Sequence, residues 1–570
     1  MSAFCDLHVD FRSTAPAVTR LMQPWRRVAG EDADPWIGVA GEIEPSHVRL
    51  PGWDVWAVGP VFTYRSDDND PLHRFAIDLQ VGAAQPSALD SQAAVFAWDS
   101  RARRLHVITD RMGTVHVYRS GNDSVGTFSP AVAGSGGHRL DWIGITGFCG
   151  FGFYPGDRTA LEDVRIVRPA TWLLLDDRGA TVSERRTWTW TFEPANRSVD
   201  ETLEAFDDVW TRVLARRLRG SRAVIPLSGG LDSRTILAAA TSAAVGADVR
   251  TFTYGYPGSR VETSVARRVG AARGASPLEQ TVGPYLLDRF DEVFDAVEGF
   301  VGLTLPRQAG ASDVIGSLGD RVVGGHWGDV WFDSIGSGSE TVSPVERALT
   351  IFAKRGRSTL FDELCRPHLN GLEPEDVLRG LIADEVARLP DLGDPAMLLK
   401  ALKTEQWSFR WTLAGTRAYQ LGASVDLPFY ADEVVDLFLT VPQRMLSGRA
   451  LQVAYLRRFH PDLAAIRWQQ SGTTLLDRWW ERPAAKAERA VRKVSRTALR
   501  RSVLERNWEV QFLGEGRSAR LESLVRPLVE RDLLTKAGAT EALDEFAVHP
   551  APDKAHRIDV MVALAAVLDR

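Results

Sequence analysis

Lysine is almost missing from this chain. Of its 68 basic residues only seven are lysines (Lys354, Lys400, Lys403, Lys486, Lys493, Lys536 and Lys554), and the first 353 residues hold none. That excludes from the first half any phosphate loop of the G-x-x-x-x-G-K-[ST] kind, which needs its lysine on the phosphates. Cysteine is scarce too. Cys5, Cys149 and Cys365 are too few and too scattered for a disulfide framework or a thiolate zinc site. No apolar run approaches the roughly 18 residues that span a bilayer. The opening MSAFCDLHVDFRS lacks the basic, apolar, small-residue order of a secretory signal. With 68 basic and 74 acidic residues the formal charge is −6, which gives no footprint for nucleic acid. These absences predict a cytoplasmic protein with neither a membrane nor a nucleic-acid partner.

What is present is an ordinary globular composition, 44% hydrophobic and 25% charged. At roughly 150 residues per domain, 570 residues suggest two to four domains. Residues 1–195 read as β-rich and layered. Alternating runs recur at AVFAWD (94–99), RLHVITD (104–110), TVHVYRS (114–120) and TWLLLDD (171–177), separated by turn formers. The stretch 187–200 reads as a last strand followed by a polar linker.

From residue 201 the period changes. Leu203, Phe206, Val209, Trp210, Val213 and Leu214 fall at helical spacing. The strand 223–227, helix 232–244, strand 249–256 and helix 261–273 then alternate, and 320–325 reads as a third strand. Strands alternating with helices predict a parallel sheet covered on both faces. Beyond about 340 the signal is mostly helical, through to a C-terminal extension over 476–570. Within that extension, residues 486–506 carry eight basic residues at three-to-four spacing. The run reads as a solvated helix face with local ion pairs, or as a docking face for an acidic partner or phosphate.

The chemistry sits at Val224-Ile225-Pro226-Leu227-Ser228-Gly229-Gly230-Leu231-Asp232-Ser233-Arg234. A buried strand runs into two glycines and straight into a helix. Glycines without Cβ atoms let backbone N–H groups approach an anion, and a helix N-terminus with Ser228 and Ser233 beside it favours phosphate. Asp232 brings the opposite charge to the same spot. A carboxylate beside a phosphate cradle implies a divalent cation between them.

This turn resembles the pyrophosphate loop of ATP pyrophosphatases, and the wider chain resembles the asparagine synthetase family, which includes β-lactam synthetases and lasso-peptide cyclases. The resemblance is carried by Ala97-Trp98-Asp99, Thr109-Asp110-Arg111-Met112-Gly113 and Val117-Tyr118 in the first part. It continues through Thr251-Phe252-Thr253-Tyr254-Gly255 with Glu262, Gly324-Gly325-His326-Trp327-Gly328-Asp329, and more weakly Pro428-Phe429 and Val441-Pro442. It implies an amidotransferase-like (Ntn-type) domain over 1–195, and an α/β ATP-pyrophosphatase domain of adenine nucleotide α-hydrolase type over 200–475. The implied reaction is ATP-dependent amide formation. A carboxylate attacks the α-phosphate to give an acyl-adenylate and pyrophosphate, and an amine then displaces AMP. On this resemblance Ser228, Gly229, Gly230 and Ser233 hold the pyrophosphate, and Asp232 and Asp329 hold Mg²⁺. Leu227, Tyr254 and Gly325 line the nucleotide site. His326 stands where the family often has Glu or Tyr. A histidine titrating near neutrality would take a proton from the attacking amine, or else it only shapes the pocket wall.

Two departures narrow the reading. Glutamine-dependent members begin Met-Cys, whereas this chain has Ser2, and Cys5 keeps a peptide bond on its nitrogen. The expectation is an amide ligase without glutaminase activity, acting on a small-molecule or peptide carboxylate and amine. A lasso-type member would work with a precursor peptide and a partner protease. The second departure is the family's late synthetase-domain lysine, expected near Ile466–Gly472, where this chain has none. Arg449, Arg457 or Arg467 would have to supply the charge, although arginine is not an equivalent donor. The alternatives are a glutamine-hydrolysing asparagine synthetase and a catalytically impaired nucleotide-binding scaffold.

Overall fold

The computed structural model describes residues 2–29, 35–65, 70–134, 139–257, 261–335, 342–476 and 506–569. Of the basic run 486–506, all but Arg506 lies outside them. The N-terminal part holds two six-stranded antiparallel sheets. One runs in the order Val164–Ile166, Tyr118–Ser120, Ser124–Gly126, Cys5–Asp10, Trp36–Gly41, Arg26–Ala29. The other runs Thr181–Arg186, Thr171–Asp176, Arg104–Thr109, Ala94–Asp99, Trp53–Val58, Ser46–Leu50. Alternation explains the layering. Leu7, Val9, Ile37 and Val39 of the first sheet meet Trp56, Phe96, Trp98, Val107 and Leu173 of the second. The intervening Val55, Ala57, Val95 and Ala97 face outward, onto Leu72, Phe75 and Leu79 of the helix Pro71–Gln80.

Two local readings change. The expected strand 114–120 is reduced to Tyr118–Ser120, because Asp110 folds the preceding residues into a turn by accepting the N–H groups of Met112 at 2.9 Å and Thr114 at 3.1 Å. The last strand is Thr181–Arg186 and not 187–200. Residues 187–195 form no free linker either. The Trp190 indole donates to Glu405 at 2.7 Å, and the Glu193 and Ala195 N–H groups bond the carbonyls of Leu439 and Thr440.

The second part is built on a five-stranded sheet, parallel throughout. Its order is Leu278–Thr281, Asp248–Gly255, Arg222–Pro226, Arg321–Val323, Ser424–Asp426. Period two again distributes the side chains. Ala223, Ile225 and Val323 share a core with Trp210, Leu214, Ile236 and Leu237 of the helices Val199–Leu218 and Asp232–Ala240. Val224 and Val322 face Ala311, Ile315 and Tyr419 on the other side. The first helix starts on a capping box made by Ser198 and Glu201.

The C-terminal helices Asn507–Phe512, Arg517–Glu530, Lys536–Val548 and Pro552–Asp569 dock onto this body. Asn507 and Gln511 bond the Tyr285 region. His556 reaches the Cys149 carbonyl of the helix Trp142–Phe151 at 2.9 Å. Gly299 and Gly302 allow the last helix its close approach, since a Cβ at either would meet Val567 at 2.7 Å or Asp559 at 2.8 Å.

Asp559 accepts from the backbone and hydroxyl of Thr304, and burial pushes its carboxyl up to about 7. Between the ordinary carboxylate range and pH 7 the unfolded chain has released a proton that the folded chain keeps. This group's stabilisation is therefore complete at low pH and is lost as pH rises towards 7, by at most about 1.4 kcal/mol per pH unit. Asparagine cannot titrate, so Asp559→Asn should gain stability relative to the wild type between pH 4.5 and 7.5. Denaturant midpoints at several pH values measure this, and a pH-independent difference would contradict it.

Candidate functional site

The strand Arg222–Pro226 is central and buried, and it continues by Leu227 N–H donating to the Phe252 carbonyl at 2.8 Å. The turn Ser228-Gly229-Gly230 follows, and the helix Asp232–Ala240 starts with Leu231 at its N-cap and no side chain capping it. Its first N–H groups therefore have no intrahelical acceptor, and the positive end of the helix dipole opens onto the turn. Ser233 Oγ accepts from Ser228 N–H at 3.1 Å, and Ser228 Oγ accepts from Gly230 N–H at 3.1 Å. The two serines thus hold the shape of the turn.

The parallel pairing of Val322 with Val224 carries the third strand's loop to the same edge. A Cβ on Gly325 would lie 3.2 Å from Ser233 N and 3.3 Å from Asp232 Cβ, and one on Gly328 would lie 2.7 Å from Asp232 Oδ1. The glycines are what let the two loops touch. Trp327, between them, adopts a left-handed φ of 74°, which a bulky residue takes only under tertiary constraint. Its indole donates to Thr404 Oγ1 at 3.1 Å. Asp329 is the second residue of the short helix Gly328–Trp331 and is exposed. Burial raises the Asp232 carboxyl to about 6, the Arg449 charge opposing and the Asp329 charge adding.

Two neighbouring carboxylates beside an uncapped helix start fit a Mg²⁺ ion, which takes one or two carboxylates and completes its shell with water and substrate phosphates. Among the described residues no group of three or more His, Cys, Asp or Glu could hold a metal. Two carboxylates suit a metal that takes its remaining ligands from water and phosphate.

His326 lies on the Gly325–Gly328 side of the crevice, its ring 6.0 Å from that of Tyr419. Burial, with the Arg307 charge adding, pushes its imidazole down to about 4, and Nδ1 is buried without a partner. The expectation of a pKa near neutrality is corrected here: the ring is neutral and a weak base, because the loop packs it away from water. Tyr254, at the end of the strand Asp248–Gly255, accepts from Arg307 Nε at 2.7 Å.

Residues from distant segments complete the site. Arg234, buried in the cradle helix, donates to the carbonyls of Leu463, Ile466 and Arg467. That tether delivers Gln469, whose N–H bonds the Gly229 carbonyl at 3.3 Å and whose side chain covers Gly229. Of the three arginines expected to supply charge, Arg457 and Arg467 bond the carbonyls of Leu475 and Gly472. Arg449 pairs with Asp232. Gln452 and Arg307 carry no signal in the sequence, since each meets the site only through packing.

Comparison with curated proteins finds no match. Residues 205–312, from the helix before the central strand to the start of the helix Ser312–Leu318, match the family model described as asparagine synthase. The cradle at Ser228–Ser233 lies inside that match, so this segment is similar to the asparagine synthase family.

Proposed function

We propose that the protein is an ATP- and Mg²⁺-dependent, AMP-forming amide ligase that works without hydrolysing glutamine. The observation that carries this reading is the two-glycine turn at an uncapped helix start, with Asp232 and the Asp329 loop packed against it. A carboxylate oxygen forms a bond to the α-phosphorus while the bond from that phosphorus to the bridging oxygen breaks. Pyrophosphate leaves, and an amine then takes the acyl group from AMP. The turn N–H groups and the serines bind the departing pyrophosphate. Asp232 and Asp329 would hold Mg²⁺, which offsets charge on the leaving group when bound. Leu227, Tyr254 and Gly325 line the nucleotide site, and His326, a weak base here, shapes the pocket wall unless the bound substrates change its surroundings enough for it to take the amine's proton. The carboxylate and amine belong to a small molecule or peptide. A macrolactam-forming enzyme would take a precursor peptide trimmed by a partner protease.

Glutamine hydrolysis is left out on the state of Cys5. It lies within the strand Cys5–Asp10, and burial, with Asp6 and Glu44 adding, pushes its thiol far up, away from the reactive thiolate. The nucleotide-binding scaffold reading draws on Gln469 covering Gly229. Supplying Mg·ATP with a panel of amino acid and peptide carboxylates separates the readings. AMP and pyrophosphate should appear in equal amounts, with no glutamate formed from added glutamine. Tight ATP binding with no pyrophosphate from any carboxylate would favour the scaffold. Glutamate release that a Ser2→Ala or Cys5→Ala variant abolishes would restore the glutamine-dependent alternative.

A further inference from the structure

A row of alternating rings and cations leads away from the Asp329 loop. Lys403 ends the helix Pro395–Lys403, and Trp407 and Trp411 follow it at intervals of four in the π-helical run Thr404–Thr412, so the three share one face. The Lys403 ammonium lies 5.5 Å from the ring centre of Trp327, on the Asp329 loop, and 5.7 Å from that of Trp407. Lys354, from another segment, lies 4.9 Å from Trp407 and 5.2 Å from Trp411. Both lysines and the two outer tryptophans are half-buried, so the row meets solvent along one side. In a chain with only seven lysines, two stand on one indole.

The cations here are not matched alike. Lys400, buried, donates to the Trp331 carbonyl at 3.3 Å and faces Asp333 and Asp394. Lys403 faces Asp329 and Asp333. Lys354 faces no carboxylate among the described residues, and there neither its ammonium nor that of Lys403 makes a hydrogen bond. The segment around Lys354 is held all the same. Its N–H donates to the Gly150 carbonyl at 2.8 Å, and its carbonyl accepts from Arg357 Nη1 at 3.1 Å. Gly152, at a φ of 75°, leaves room for the stem, since a Cβ there would lie 2.9 Å from Lys354 Cε. Burial lowers the pKa of this ammonium with no charge opposing. Aromatic faces recover only part of a cation's lost hydration, so the arrangement carries a cost that an anion beside Lys354 would remove. Lys403 and Trp407 stand between Lys354 and the Asp329 loop, so such an anion is not the carboxylate that reacts at the phosphates.

We propose that Lys354, with Lys403 and the faces of Trp407 and Trp411, forms a carboxylate subsite that takes an anionic group of the acid substrate other than the one adenylated. The substrate class is then an acid with a second carboxylate, its apolar stretch lying against the indoles. This inference rests on the amide-ligase reading above.

Calorimetric titration with glutarate, triglutamate and triglutamine tests it on the wild type, Lys354→Met and Lys403→Gln. The wild type should bind triglutamate at least roughly 10-fold more tightly than triglutamine, the share of one charge-assisted contact. Lys354→Met should lose that preference, and Lys403→Gln should weaken it several-fold. Glutarate binding that Lys354→Met removes would mark a small diacid, and triglutamate binding without glutarate an acidic peptide; either supports the subsite. Methionine keeps the unbranched stem and drops the charge, so Lys354→Met should also raise the denaturant midpoint. A lowered midpoint would make the lysine a structural strut and overturn the proposal. Equal binding of triglutamate and triglutamine, or acid binding that neither variant changes, would overturn it as well. Mg·ATP affinity is read on the same samples. ATP binding with neither acid bound would overturn the subsite alone. Acid binding by a protein that binds no ATP would overturn the amide-ligase reading, and with it the anion's place in a substrate.

Discussion

Gly229→Val should lower the affinity for Mg·ATP by at least roughly 100-fold, the equivalent of two charge-assisted contacts. Even a Cβ at this position would lie 2.5 Å from Gln469 Oε1 and 2.8 Å from Gln469 Cβ. The second contact is close to the backbone and cannot be relieved by swinging the end of a side chain. The Gln469 segment is also held from behind by the three carbonyl bonds of Arg234. The valine methyl groups must therefore intrude on the open side of the turn, where the phosphates would lie. Titration of both proteins with Mg·ATP measures the effect, and equal affinities would place the nucleotide somewhere other than this turn.

Asp329→Asn should cut pyrophosphate release by roughly 10²–10⁴-fold, the range of several kcal/mol of charge stabilisation. A neutral amide is a poor ligand for a hard cation. Asp329 sits one residue from Gly328, whose missing Cβ faces Asp232 Oδ1, so the loss should come with a raised Mg²⁺ requirement. Asp329 is itself exposed, although its charge also favours that of the partly buried Lys403. Release at the wild-type rate and at the same Mg²⁺ concentration would show that this carboxylate holds no metal.

The parts of the site that could be read from sequence are those where strand, turn and helix follow one another directly. Ser228–Ser233 is legible because the central strand is apolar, the glycines are paired and the next residues are helical. Gly324–Asp329 is legible as a strand followed by a glycine loop, and the parallel register of Val224 with Val322 then brings it alongside. The edge strands Leu278–Thr281 and Ser424–Asp426 are only four and three residues long and mostly polar, so no period could announce them. Arg449 could be named from sequence only as one of three arginines, on the resemblance, while nothing local distinguishes Gln452 and Gln469, also more than 200 residues from the turn, from other polar residues. His326 shows a different limit. Its residue type is visible, but its low pKa is a property of the packing around it.

The docking of the last helix, Pro552–Asp569, bears on how the chain is made. His556 caps the Cys149 carbonyl, while Ile558, Met561 and Leu564 enter the same apolar core as Phe148 and Phe151. During synthesis, Cys149 and the helix face around it emerge 407 residues before His556 and the side chains that finish covering that face. The nascent protein must carry an incomplete core through most of translation, the situation in which chains recruit chaperones or aggregate.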